Sequence, residues 1–302
     1  MMRLSFLVST AVVGLAAGTA AYADDHTSDQ QVSADPHGTV EISTFAGRVD
    51  VTGWDQPQVS VHSDVSGDSN RVDVRSENGR TTIAVRMHGM GSMWANGSVN
   101  LRIKIPRNSE LDVTAVSADV ASGGVLGAQQ LKTVSGLIKA DISHADVEAK
   151  TVSGDVTLHG DGQPGLLRVS TISGSIKVDH GAGDMEAVTV SGDLTAQLEP
   201  ARSIRARTTS GTVQIRGKLA KDADLDLQSV SGDVRLRAGY DGGYEYEAST
   251  FSGSIHNCYN QQAQKTSQYG PGERLTGSRG SSGGGHVRVK TMSGEIDLCD
   301  KS

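Results

Sequence analysis

Large aromatic side chains are almost missing from this sequence, which has three Phe and two Trp in 302 residues. A globular core short of them would bury little area, whereas thin layers filled by Val, Ile, Leu and Ala need none. Cysteine is scarce as well. Two residues, Cys258 and Cys299, exclude a disulfide-dense scaffold, and no CxxC spacing offers a metal or redox pair. Beyond residue 23 no apolar run approaches the ~18 residues of a membrane helix, and no stretch of ten keeps a helical period. Positive charge is in deficit, 28 Lys and Arg against 35 Asp and Glu, which argues against nucleic acid or an anionic membrane as partner. HxH, HExxH and phosphate-loop patterns are missing, so no cofactor and no metal is expected.

What is abundant is glycine, 37 residues, and much of it is periodic. The phrase TVSGDV at 151–156 returns as TVSGLI, TISGSI, TVSGDL, TTSGTV, SVSGDV, TFSGSI and TMSGEI, with AVSADV at 115–120 as an imperfect copy. Its glycines are Gly136, Gly154, Gly174, Gly192, Gly211, Gly232, Gly253 and Gly294, spaced 18, 20, 18, 19, 21, 21 and 41 residues apart. A period near 20 marks a stacked repeat. Residues 1–23 read as a secretory signal, with Arg3, an apolar stretch and Ala21-Tyr22-Ala23 before Asp24. The polar residues 24–37 read as a disordered tail. The remainder, 38–298, reads as one body: an N-terminal cap with first rungs over 38–120, then regular repeats over 121–298.

Within a repeat, the alternation predicts two short strands joined by a Ser-Gly corner. Leu167, Val169, Thr171 and Ser173 share one face before the corner, and Ile176 and Val178 share one after it. Ile172 has the parity of the polar face, yet its counterparts are apolar in nearly every copy; the expectation is that the corner twists it inward. Stacking then creates two columns. Ser117, Ser135, Ser153, Ser173, Ser191, Ser210, Ser231, Ser252 and Ser293 read as hydroxyls that fit the bend, because no serine has a recurring His and Asp partner. After the corner, Asp119, Leu137, Asp155, Ser175, Asp193, Thr212, Asp233, Ser254 and Glu295 alternate acid with neutral. That alternation reads as charge spacing, since carboxylates on successive rungs would stand only ~5 Å apart. It separates ligands that a calcium array would need together.

Cys258 and Cys299 both lie five residues after a corner glycine, and 259–285 between them reads as one enlarged loop without a rung of its own. The two should be vertical neighbours on adjacent final rungs and form a disulfide. The cluster Met87, His88, Met90, Met93 and Trp94 could offer copper sulfur and imidazole ligands; a hairpin loop with methionines covering its edge is the plainer reading.

The strand-Gly-strand unit at 40–51, the strand 101–105 closed by Pro106-Arg107-Asn108 and the serial SG corners of 115–298 resemble a bacterial adhesin-like domain family of unknown function. The resemblance implies an all-β fold, a single-chain parallel β-helix (β-solenoid), right-handed, with rungs of 18–21 residues. It carries no binding residues over. The reading that follows is a non-catalytic exported protein, periplasmic, cell-surface or secreted, that presents an extended β-surface to a protein or glycan of the cell envelope. Alternatives are a carbohydrate-active β-helix enzyme, which would need clustered acids and aromatic platforms, and an envelope-stress or assembly factor.

Overall fold

The computed structural model describes residues 26–66, 70–87, 98–240, 242–268, 270–280 and 284–300. The signal segment 1–23 and the Met-rich cluster from His88 to Trp94 lie outside them. Within them strand is the only regular secondary structure and no helix occurs. Its first part holds β1 (His26–Ser33), β2 (Thr39–Trp54), β3 (Gln58–Val65), β4 (Asn70–Glu77), β5 (Arg80–Met87), β6 (Val99–Pro106) and β7 (Glu110–Gly123). The middle holds β8 (Gln129–Lys132), β9 (Ile138–Ile142), β10 (Val147–Lys150), β11 (Val156–Gly160), β12 (Pro164–Ser173), β13 (Ile176–Ser191), β14 (Leu194–Ser210) and β15 (Val213–Ser231). The last part holds β16 (Val234–Tyr240), β17 (Tyr244–Ser252), β18 (Ile255–Asn257), β19 (Gln264–Lys265), β20 (Glu273–Arg279), β21 (Gly285–Ser293) and β22 (Ile296–Cys299).

Each repeat is one rung of two strand arms joined at the Ser-Gly corner, and rungs stack in parallel and in register. Val156 pairs with Ile138 of the rung before and Ile176 of the rung after; Leu167 pairs with Val147 and Met185. Alternation along each arm fills the space between the arms. Leu167, Val169, Ile176 and Val178 are all buried, as are Leu225, Leu227, Val234 and Leu236 in a later rung. Thin layers of aliphatic side chains thus form one continuous core from Val40 to Leu298, at about 1.5–3 kcal/mol of hydrophobic stabilisation for each fully buried Val, Leu or Ile.

The ends depart from sequence order. At the N-terminal end, β2 is not the outermost rung: it pairs with β7 on one side and with β5 and β6 on the other. Antiparallel β4 then covers β5, and β3 covers β6. At the C-terminal end the final rung, β21 with β22, lies inside the stack, between β15 with β16 and β17 with β18. The rungs therefore run Gly211, Gly232, Gly294, Gly253 in space, so the last rung in sequence is not the last in the stack. At the N-terminal end antiparallel strands cover both arms of the outermost rung, and at the C-terminal end β20 covers its β17 arm, which guards these edges against strand pairing between molecules.

Two expectations are corrected. Residues 26–33 are not disordered but form β1, paired antiparallel with β3 over its whole length. Its polar composition suits an edge strand with most side chains in water, so alternation is invisible in the sequence. The enlarged loop 259–285 does carry strand: β20 pairs antiparallel with β17, and β19 with β20. Leu275 is its one buried aliphatic side chain, too little to register as a pattern.

Candidate binding surface at the rung corner

The corner repeats one design. Threonine turns inward, the next residue outward, serine outward, then glycine bends the chain. Thr171 Oγ1 donates to the Gly154 carbonyl at 3.2 Å and Thr291 Oγ1 to that of Gly232 at 3.3 Å, which satisfies hydroxyls buried in the core. The glycine is required by close approach: a Cβ on Gly154 would lie 2.0 Å from the Gly136 carbonyl oxygen, and one on Gly253 would lie 2.0 Å from that of Gly294. Corner glycines thus pack directly on one another down the stack, and this column reads out the rung order independently of the strand pairing.

The serine column faces solvent. Its backbone ties the rungs together, Ser153 N donating to Val134 O at 2.8 Å and Gly154 N to Ser173 O at 3.2 Å, while the hydroxyls point out.

The acid column has a bonding role that the sequence did not reveal. Asp119 Oδ1 accepts from Leu137 N at 2.9 Å, Asp155 from Ser175 N at 2.8 Å, and Asp193 from Thr212 N at 2.8 Å. Each aspartate holds the N–H that opens the next rung's second arm, so one acid serves two rungs. The alternation expected from sequence breaks at the swapped end, where Asp233 and Glu295 are neighbours. Arg235 pairs with Asp233 at 3.1 Å, which offsets the juxtaposition, and His256 lies 3.6 Å from Glu295.

The residue between threonine and serine is the main correction. Ile172 is 52% exposed, not turned inward. The same holds at Phe45, Val116, Val134, Val152, Val190, Val230, Phe251 and Met292, all exposed. Rung after rung adds one apolar side chain to an outward ridge, interrupted by Thr209, which is also exposed. Strand parity therefore holds to the corner, and apolar character here marks a surface. At the C-terminal half the ridge borders an open groove lined by Val190, Arg207, Val230, Phe251, Lys290 and Met292.

The cysteines meet as expected. Cys258 and Cys299 are disulfide-bonded with a Cα separation of 5.0 Å, across rungs 41 residues apart in sequence. Beside them lies a cluster that sequence reasoning missed. Tyr244 and Tyr246 point inward from β17, Tyr259 follows the bonded Cys258, and the Tyr244 and Tyr259 hydroxyls are 3.0 Å apart. The Arg279 guanidinium lies 5.0 Å from the Tyr259 ring centre and pairs with Asp300 at 3.0 Å. Burial pushes both phenols well above their ordinary value. Tyr244 and Tyr246 are 7% and 3% exposed, so these rings close the end of the core and present no open sugar platform.

Several solved structures have a similar course over most of the chain. A candidate cell-adhesion protein from Clostridium sporogenes is 11% identical, with 91% of this chain and 99% of that one covered and a TM-score of 0.29. Candidate adhesins from Bacteroides fragilis and Parabacteroides distasonis are each 9% identical, cover 91% of this chain and 98% of theirs, and have TM-scores of 0.40. No curated protein sequence matches. The Toastrack DUF4097 family model matches residues 38–299, which span the stack from β2 through β22. The chain belongs to the Toastrack DUF4097 family.

Proposed function

We propose that this chain is a non-catalytic, exported envelope module of adhesin or scaffold type, which engages a macromolecular partner along its length. Residues 1–23 direct its export, and the mature body winds as a right-handed parallel β-helix, the hand that β-crossovers adopt. The observation that carries the reading is the exposed apolar ridge from Phe45 to Phe251. Contiguous exposed apolar surface on a soluble body marks an interaction site, and a repeat array binds by area rather than by a deep pocket. The Cys258–Cys299 disulfide suits the oxidising compartments outside the cytoplasm.

The test is retention of envelope components on immobilised mature protein, wild type against Ile172→Asp and Val190→Asp. The reading expects a component held by wild type and lost from both variants, and no hydrolysis of glycans, esters or peptides by the purified chain. Equal retention by all three proteins, or turnover lost on Asp155→Asn, would contradict it.

A further inference from the structure

The ridge repeats with the rungs, about every 4.8 Å, over ten rungs from Phe45 to Phe251. A partner that mates with all of it must carry apolar side chains at the same period, and the ridge of a second copy does so. We propose that the ridge is covered by a second copy of this chain, lying parallel to the first about a two-fold axis along the stack. The inference deepens the reading of the ridge as a binding surface and rests on it.

Charge decides the orientation. Two residues before the ridge, on the same outward strand face, stand Lys132, Lys150, Arg207 and Lys290. Beyond the corner stands the acid column with Asp119, Asp155, Asp193, Asp233 and Glu295. From Val116 to Met292 the ridge thus has a basic flank and an acidic flank; on the Phe45 rung the position after the corner is Arg48, which pairs with Asp50 at 2.8 Å. A two-fold axis across the stacks would reverse one copy and set bases against bases. An axis along the stacks keeps the copies parallel, turns the partner's flanks round and sets each basic flank against an acidic one.

That axis also places every rung opposite itself, and the charges then match rung by rung. Lys150 meets the partner subunit's Asp155 on the same rung, and Lys290 meets the partner subunit's Glu295. Lys132 and Arg207 lie on rungs whose own position after the corner is Leu137 or Thr212. Lys132 then falls between the rungs of the partner's Asp119 and the partner's Asp155. Arg207 falls between those of the partner's Asp193 and the partner's Asp233. Within the chain, Lys150 pairs with Glu148 and Arg207 with Asp226, whereas among the described residues Lys132 and Lys290 form no ion pair. The strip from the basic to the acidic column spans five residue steps but turns at the Ser-Gly corner, so it is narrower than the ~17 Å of straight strand, and ten rungs make it about 45 Å long. Its area is therefore below the ~800 Å² per partner of a standard interface, in the range of a weak, reversible dimer.

Sedimentation velocity on the mature full chain tests the association, and the expected result is a dimer. Ile172→Asp should weaken it by about tenfold or more. Lys150→Asp should weaken it, and Asp155→Lys added to the same chain should restore it, a rescue that a merely structural role would not give. Val116→Cys, near one end of the ridge, should cross-link to itself under mild oxidation, because only a parallel pair sets that position against its own copy. A monomer at about 100 μM, a dimer in which Val116→Cys fails to cross-link, or a charge exchange without rescue overturns the proposal. If the chain is monomeric yet Ile172→Asp still loses an envelope component, this inference falls and the binding reading stands. If Ile172→Asp changes neither, both fall.

Discussion

Asp233 and Glu295 are 62 residues apart in sequence and adjacent in the stack, with Asp233 Oδ1 accepting from Glu295 N at 3.0 Å. Two acids side by side, with Arg235 paired to Asp233 at 3.1 Å, show that carboxylate spacing alone does not govern this column. What every aspartate in it shares is the capture of a backbone N–H on the next rung. Asp155→Ala should therefore cost about 1 kcal/mol, and Asp155→Asn, which keeps an acceptor, less. Urea unfolding at low salt checks this; an Asn variant more stable than wild type would make repulsion the controlling factor.

All the corner glycines answer a steric demand, and six of the eight, Gly154 and Gly174 excepted, answer a conformational one as well through positive φ. Gly154 is not among the positive-φ glycines, yet a Cβ there would meet the Gly136 carbonyl oxygen at 2.0 Å. Backbone cannot yield as a flexible side-chain end does. Gly154→Ala should cost about 3 kcal/mol or more in denaturant unfolding. At Gly162, where nothing lies within 4 Å but φ is +78°, alanine should cost only about 1 kcal/mol.

The rung swap changes where the disulfide acts. Cys299 sits on a rung with neighbours on both sides, whereas Cys258 sits on the outermost one. Cys299→Ser should lower stability by about 4 kcal/mol, as for a closed loop of roughly forty residues. Hydrogen exchange should show that loss as opening of β17, β18 and β20, with β21 opening only along with the body of the stack. Thiol titration of the denatured, unreduced wild type should find no free thiol.

The arms were legible because alternation is a property of each strand alone: Leu167, Val169, Ile176 and Val178 announce their burial in any single repeat. Ile172 misled because apolar character in almost every copy suggested a core position, whereas parity, the stronger physical constraint, put it outside. The rung order was not legible at all. Every corner has the same chemistry, so nothing local tells Gly294 to stack on Gly232 instead of Gly253; the long excursion through β19 and β20 is what permits it. The tyrosine cluster joins β17 to Tyr259, Arg279 and Asp300, residues that only tertiary structure brings together.

Acid should loosen the outer C-terminal rung first. Glu273 pairs with Lys265 at 3.0 Å and accepts from Ile255 N at 3.0 Å, which hold its carboxyl below its ordinary value of 4.5. A depressed folded-state value means that the stabilisation is present above about pH 4.5 and is lost as pH falls through the folded value. Between about pH 6 and about pH 3, the Ile255 amide should lose exchange protection before that of Val156. Glu273→Gln should flatten this difference.

Most directly at stake is whether the apolar corner residue belongs to the surface. Equilibrium unfolding of Ile172→Asp against Val169→Asp, at concentrations too low for copies to associate, decides it. With Ile172 on the outward ridge and Val169 in the core, the ridge carboxylate should change stability by less than about 1 kcal/mol. The core carboxylate should cost several kcal/mol or abolish folding. A comparable loss from both variants would mean that Ile172 is structural core, and the ridge would not be a binding surface.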